Sequence, residues 1–231
     1  LEHGFIHDYV PPVVKAALEE VISGQLLLGV TGVEGAGKST LCEHLIAAGR
    51  ARNVQVHNID LDKLGHAVLD GQDSPLHRET RTALIERFGR GIETEGRIDR
   101  KRLAGCVFGK PDMLADLNRI MAGPMTIGLR KALYGLRGVV LLNGALLAEA
   151  ELLSLCNSRV ILVGAGSHEA HIARLKTRGY SGDELNNRLA AQWSHERKHE
   201  AIETAIAKDR FGHLWNWDTS AAPSLAQAAR L

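Results

Sequence analysis

The stretch Leu26–Thr40, LLLGVTGVEGAGKST, changes abruptly from apolar residues to glycine, lysine and hydroxyl-bearing residues. Leu26–Val30 is short and apolar, as buried parallel strands are. Thr40–Ala48 places Leu41 and Leu45 at helical spacing. The stretch therefore predicts a buried strand, a glycine-rich turn and a helix in direct succession.

The turn matches the G-x-x-x-x-G-K-[ST] pattern of a P-loop at every fixed position. Glycines let backbone N–H groups turn inward around phosphate oxygens, and the helix N-terminus adds its dipole. The motif predicts that Lys38 reaches the outer phosphates and that Ser39 ligates Mg²⁺. The predicted ATP-binding residues here are Gly32, Gly35, Ala36, Gly37, Lys38, Ser39 and Thr40. The alternative is a glycine-rich β–α turn with an incidental lysine.

Three further apolar segments predict strands at Val54–Ile59, Val139–Leu142 and Arg159–Val163. The chain between the second and third strands has helical spacing and turn signals, which predicts a helical insert. Strands that alternate with helices and are apolar throughout are typical of α/β proteins with a parallel sheet. We expect a P-loop NTPase-type parallel sheet with flanking helices.

Asp60 and Asp62 follow the second predicted strand, at the edge of the sheet where open α/β folds bind ligands. A carboxylate there is suited to accept the proton of an attacking hydroxyl, or to hold Mg²⁺. The alternative is structural, because Asp62 precedes the helical segment KLGHAVL and aspartate is a favoured N-cap.

Arginines recur at helical spacing after the fourth predicted strand. Arg174 and Arg178 share one helix face, and Arg188 and Gln192 share another. Two short helices joined by a glycine-containing turn predict a lid whose guanidinium groups close over phosphates. The alternative is a solvated surface with ordinary arginines.

Composition excludes several classes of protein. The net charge is +1, which does not favour nucleic-acid binding. No apolar run approaches the length of a membrane span. Cys42, Cys106 and Cys156 show no paired spacing, which indicates a reducing compartment, and we expect the cytoplasm.

Taken in order, these segments resemble dephospho-coenzyme A kinase over roughly residues 25–198. The P-loop is common to many NTPases, whereas the block GRIDRKRLAGCVF at Gly96–Phe108 is particular to this family. The resemblance implies a Mg²⁺- and ATP-dependent kinase with dephospho-CoA as its substrate. It also implies that Asp62 is the general base and that Lys38 and Arg174 contribute to catalysis. It assigns phosphate contacts to Arg178 and Arg188, while the position of Asp60 at the end of the predicted strand favours a place near the metal.

The resemblance and the sequence pattern together predict the domain organisation. The nucleotide-binding core comprises 25–62, 136–167 and 193–231, the helical CoA-binding lobe is 63–135, the lid is 168–192, and 1–24 is an N-terminal extension.

Two segments depart from the family pattern. Met121–Pro124, MAGP, lacks the usual His-Pro pair and is one residue longer. Asn143–Ala148 replaces an Asp-x-Pro-Leu-Leu-Phe run, and alanine in place of phenylalanine is expected to widen the substrate cleft. Two alternatives therefore stay open: another small-molecule P-loop kinase, or a weakly active nucleotide-binding module of a larger assembly.

The N-terminal extension contains Tyr9-Val10-Pro11-Pro12-Val13 followed by good helix formers. It resembles the C-terminal tail of nucleotidyltransferases such as phosphopantetheine adenylyltransferase. We therefore expect an upstream nucleotidyltransferase domain in the full-length protein; the alternative is an ordinary extension.

Overall fold

The computed structural model describes residues 23–70, 74–107, 110–182, 185, 189 and 192–219. The prediction of an N-terminal nucleotidyltransferase tail and the assignment of Arg188 lie outside these residues. By their contacts, Asp60–Tyr134 form one compact unit, and the described residues up to Ile59 and from Gly135 onward form another.

The larger unit is built on a five-stranded sheet. In chain order the strands of the protein are β1 (Gln25–Thr31), β2 (Val56–Asp60), β3 (Glu93–Thr94), β4 (Arg97–Ile98), β5 (Gly138–Asn143), β6 (Arg159–Gly164) and β7 (His213–Asp218). The large sheet has the order β2-β5-β1-β6-β7. Strand β1 pairs in parallel with β5 and β6, and β6 pairs in parallel with β7. Strand β1 is therefore central.

Seven helices flank or connect the strands in the described part of the chain. They are α1 (Lys38–Ala51), α2 (Leu61–Leu69), α3 (Pro75–Phe88), α4 (Arg100–Val107), α5 (Pro111–Leu133), α6 (His168–Thr177) and α7 (His195–Asp209), with 3₁₀ turns at Arg90–Ile92 and Leu153–Cys156. None of these helices is long and apolar enough to cross a membrane.

The core of the larger unit lies where α1 packs on the central strands. Val30, Leu41 and Leu141 are completely buried there, beside Ile161 and Val163. Apolar side chains on every strand, together with the parallel pairing, confirm the predicted P-loop-type α/β fold class. The burial of β1 increases toward its carboxyl end, so the loop that follows Thr31 starts from a fixed point.

The smaller unit explains the block at Gly96–Phe108. Strands β3 and β4 form a hairpin whose turn residues, Glu95 and Gly96, have φ values of 51° and 75°, as a tight two-residue turn requires. Asp99 Oδ1 then accepts hydrogen bonds from the backbone N–H groups of Lys101 and Arg102 at the start of α4. Ile98, Leu103 and Val107 of the block pack into a core with Leu84 and Ile92. Much of this block thus builds the unit.

Helix α5 runs through the atypical MAGP segment without interruption, and Pro124 is buried within it. Proline has no N–H to donate to the carbonyl of residue 120, so the helix tolerates the loss of one hydrogen bond at this point.

Strand β7 was not predicted from the sequence. HLWNWD alternates only partly, with Trp217 buried and the residues around it half-buried or exposed. Its place at the edge of the sheet explains this pattern, since β7 pairs with β6 alone.

Candidate active site

The loop after β1 requires glycine for steric reasons. Gly32 has φ +146°, and a Cβ atom built on it would lie 2.3 Å from the backbone oxygen of Val163. Gly37 has φ 101° and ψ 17° at the N-cap of α1. These two positions fix the loop's close approach to β6 and its turn into the helix.

The N-terminus of α1 is suited to an anion. Gly37 offers no capping side chain, and the first helical turn contains no acidic residue. Ser39 and Thr40 in this turn are exposed. The partial positive charge of the first N–H groups is therefore available to phosphate oxygens.

Side-chain donors hold the backbone carbonyls of the loop. Five successive backbone carbonyls, from residue 32 to residue 36, each accept a hydrogen bond from a side chain. Lys38 Nζ donates to Gly32 O and Val33 O, both at 3.0 Å. The other three contacts are His171 Nε2 to Glu34 O at 2.6 Å, Arg174 Nε to Gly35 O at 2.8 Å and Thr219 Oγ1 to Ala36 O at 3.1 Å.

Gln192 contacts the same loop from its N–H side. Its Oε1 accepts a hydrogen bond from the backbone N–H of Glu34 at 2.7 Å. The loop is thus braced by residues from α6, from the chain before α7 and from the chain after β7.

The arginines predicted for the lid have different surroundings. Arg174 donates to Gly35 O and, through Nη2, to Ala165 O, so its guanidinium lies against the P-loop backbone. Arg178 is the exposed C-cap residue of α6. The phosphate contacts of both arginines stay predictions.

Of the two aspartates at the end of β2 and the start of α2, Asp60 and not Asp62 is the helix cap. Asp60 is the N-cap of α2, and its Oδ1 accepts from Lys63 N at 3.0 Å. The suggestion that Asp62 is the cap is wrong, because β2 extends to Asp60 and Asp62 already lies in the first helical turn. Asp62 is half-buried. Its proposed role as a base is separate from capping.

A buried ion pair supports the segment after β5. Lys198 on α7 is completely buried and donates to the Glu149 carboxylate and, at 2.8 Å, to Ala145 O. Glu149 Oε1 also accepts from the backbone N–H of Trp193 at 3.2 Å. The pair connects α7 to the chain that follows β5.

A protein-only metal centre is not found in the part of the chain that the structure describes: no three His, Cys, Asp or Glu side chains are placed to hold a metal ion. A hydroxyl such as that of Ser39 is nevertheless an oxygen ligand of the type Mg²⁺ prefers, and Mg²⁺ bound with nucleotides takes much of its coordination from phosphates and water.

Sequence reasoning missed most of the residues that brace the loop. His171 and Thr219 carried no motif, and Gln192 was noted only for its spacing. Their partners are distant in sequence; Thr219 and Ala36 are separated by 183 positions. The one local signal was the helical spacing of His171 and Arg174, which places both on one face of α6.

Comparison with known proteins identifies relatives over most of the chain. The family model described as Dephospho-CoA kinase matches residues 26–210. The chain is 33% identical over 172 residues to a Dephospho-CoA kinase of Dehalococcoides mccartyi, covering 72% of this chain and 80% of the relative. It is 30% identical over 203 residues to one of Streptomyces avermitilis, covering 82% and 92%.

Among solved structures, the fold is similar to that of TT1252 from Thermus thermophilus. The TM-score is 0.63 at 24% sequence identity, and the match covers 89% of this chain and 93% of that one.

Proposed function

The chain belongs to the dephospho-CoA kinase family, and from this membership we propose how its residues perform the reaction. It is an ATP-dependent kinase that phosphorylates dephospho-CoA. The acceptor is the ribose 3′-hydroxyl. The new bond joins the 3′-oxygen to the γ-phosphorus of ATP, the bond from that phosphorus to the bridging oxygen breaks, and ADP leaves.

The braced P-loop is the observation that carries the proposal. Since the carbonyls of the loop accept hydrogen bonds from side chains, its peptide units are held in place before the nucleotide arrives. Donors that are already positioned need no reorganisation when charge develops on the transferred phosphoryl group.

Lys38 is proposed to exchange its two carbonyl contacts for the outer phosphates when ATP binds. Arg174 keeps its Nε on Gly35 O in this proposal and directs its remaining N–H groups toward the phosphates, so it supplies charge from a fixed position. Arg178 and Arg188 are proposed to contact phosphates from the lid. A guanidinium suits this task because its N–H groups match phosphate oxygens in spacing.

Asp62 is proposed to accept the proton of the 3′-hydroxyl as the new bond forms. An ionised carboxylate can accept this proton as a general base. Asp60 is proposed to lie near the metal while it caps α2.

Mg²⁺ fits the donor set of this chain through the Ser39 hydroxyl, with phosphates and water as further ligands. When bound, it neutralises the charge that develops on the phosphates. Ser39 would hold it at the first turn of α1.

An acceptor-specificity assay tests the function. ADP release is measured with ATP and Mg²⁺ in the presence of dephospho-CoA, adenosine, AMP or no acceptor. We expect release above the background only with dephospho-CoA. Release with adenosine or AMP would identify a different small-molecule kinase, and background release throughout would indicate a nucleotide-binding module.

We further propose that the reaction takes place in the cytoplasm and that a nucleotidyltransferase domain precedes residue 1 in the full-length protein. The three cysteines are free thiols, as in reducing compartments.

Sequencing the complete reading frame tests the proposal of an upstream nucleotidyltransferase domain: an initiator methionine directly upstream of Leu1 would refute it.

A further inference from the structure

We propose that His171 and Gln192 form a clamp on the two peptide units that flank Glu34, and thereby set the direction of a phosphate-binding N–H group in the P-loop. Both are positioning residues, because they act through the loop backbone. The inference rests on the proposed function only in taking the P-loop as the ATP site.

The contact of His171 is specific in its chemistry. A carbonyl oxygen can only accept, so the Nε2 that lies 2.6 Å from Glu34 O carries the hydrogen. The imidazole is 8% exposed, and water therefore competes poorly for this hydrogen bond. A Cβ atom built on Gly35 would lie 3.3 Å from His171 Cδ2, which shows that the ring also packs against the loop.

The planarity of the peptide bond transmits this contact to the inner side of the loop. Glu34 C=O and Gly35 N–H belong to one trans peptide unit and point in opposite directions. A donor that fixes the carbonyl outward therefore fixes the Gly35 N–H inward. Gly35 has φ +79°, a region in which glycine moves freely, so this unit gains from an external restraint.

Gln192 restrains the preceding peptide unit through its N–H group, whereas His171 restrains the following unit through its carbonyl. Its Oε1 accepts from Glu34 N–H at 2.7 Å, so the Val33–Glu34 and Glu34–Gly35 units are held from both sides of one Cα atom. Arg174 and Thr219 brace the next two units. The His171–Gln192 clamp thus extends the brace to the tip of the loop.

A matched pair of substitutions tests the clamp. His171→Gln retains an N–H donor near the position of Nε2, whereas His171→Leu has similar bulk and no donor. The measurements are the Kd of a non-hydrolysable ATP analogue by calorimetry and the separate KM values for ATP and dephospho-CoA. The exposed His168 on the same helix provides the control, His168→Ala.

We expect His171→Leu to raise the Kd of the analogue and the KM for ATP about tenfold, which corresponds to about 1.4 kcal/mol, the net value of one buried hydrogen bond. The KM for dephospho-CoA should change less than about twofold, and His171→Gln should restore most of the loss. Equal binding by His171→Leu and the wild type would overturn the proposal, as would a Gln variant that binds as weakly as the Leu variant.

Gln192→Leu keeps the proposal testable if His171→Leu does not fold. It removes the acceptor of Glu34 N–H, and it should weaken analogue binding while leaving the KM for dephospho-CoA unchanged; unaltered binding would overturn the clamp. Calorimetry needs no acceptor substrate. A wild type that binds the analogue but does not phosphorylate dephospho-CoA would therefore refute the proposed function and leave the clamp in place.

Discussion

Replacing Lys198 with methionine should destabilise the larger unit strongly. Lys198 is completely buried and donates to the Glu149 carboxylate, which is 6% exposed. Removing the ammonium takes a buried positive charge away from the carboxylate, and breaking such a pair costs about 3–5 kcal/mol. The whole free energy of unfolding of a domain is about 5–15 kcal/mol, so this loss would be a large fraction of it.

Urea denaturation followed by tryptophan fluorescence measures this loss, since Trp193, Trp215 and Trp217 all lie in the same unit as the pair. The exposed Lys208 on the same helix gives the control, and Lys208→Met should change the free energy of unfolding by less than about 0.5 kcal/mol.

The double variant Lys198→Met with Glu149→Leu separates the ion pair from simple packing. An apolar pair of similar volume can replace a buried ion pair at little cost, so the double variant should be more stable than Lys198→Met alone. A loss below about 1 kcal/mol for Lys198→Met, or a double variant whose loss equals the sum of the two single losses, would refute the reasoning.

Three further predictions concern catalysis and the thiols. Lys38→Ala should lower turnover by at least about 10². The circular dichroism spectrum should not change, because the amine contacts loop carbonyls and not the core. Near-normal turnover would contradict the assignment of Lys38 to catalysis. Asp62→Asn should lower kcat by about 10² or more with little change in KM. Asp60→Asn retains a capping oxygen and should change kcat less. A larger loss of kcat for Asp60→Asn than for Asp62→Asn would assign the role of base to Asp60. Burial raises the pKa of the Cys156 thiol from 9.0 to about 12, so the folded state keeps a proton that the unfolded state loses, and stability should fall as the pH rises from about 9 toward 12. Cys156→Ala should reduce this dependence of the free energy of unfolding on pH, measured by urea denaturation at alkaline pH. At pH 8 only the half-buried Cys106 should react with a thiol reagent before the protein unfolds. Rapid reaction of more than one thiol would contradict the burial of Cys42 and Cys156.

The sequence predicted those parts of the fold that depend on local pattern. The strand, turn and helix around Gly32–Ser39 needed only the motif and apolar spacing, and the observed β1 extends the predicted strand by one residue at each end. The strand predicted at Val54–Ile59 is displaced in the structure to Val56–Asp60. Val54 is 44% exposed and precedes the strand, so its apolar side chain was a misleading signal.

Contacts between distant residues could not be predicted from the sequence. His171 and Glu34 are 137 positions apart, and nothing near either residue in the sequence indicates the other. The cap at Asp60 was missed for a related reason: its identity depends on the last extended residue of β2, where φ −86° and ψ 104° allow a side chain to reach Lys63 N. The helix begins at Leu61 and not at Lys63, and this difference of two residues decides which aspartate caps it.

Pro124 has a consequence for the dynamics of the 23-residue helix α5. The missing amide removes one bond from the ladder of backbone hydrogen bonds, so the helix is held less strongly around residue 124 than elsewhere in its interior. Opening can then begin in mid-helix as well as at the ends. In amide hydrogen–deuterium exchange we expect two regions of protection on either side of residue 124, and Pro124→Ala should merge them into one more slowly exchanging segment.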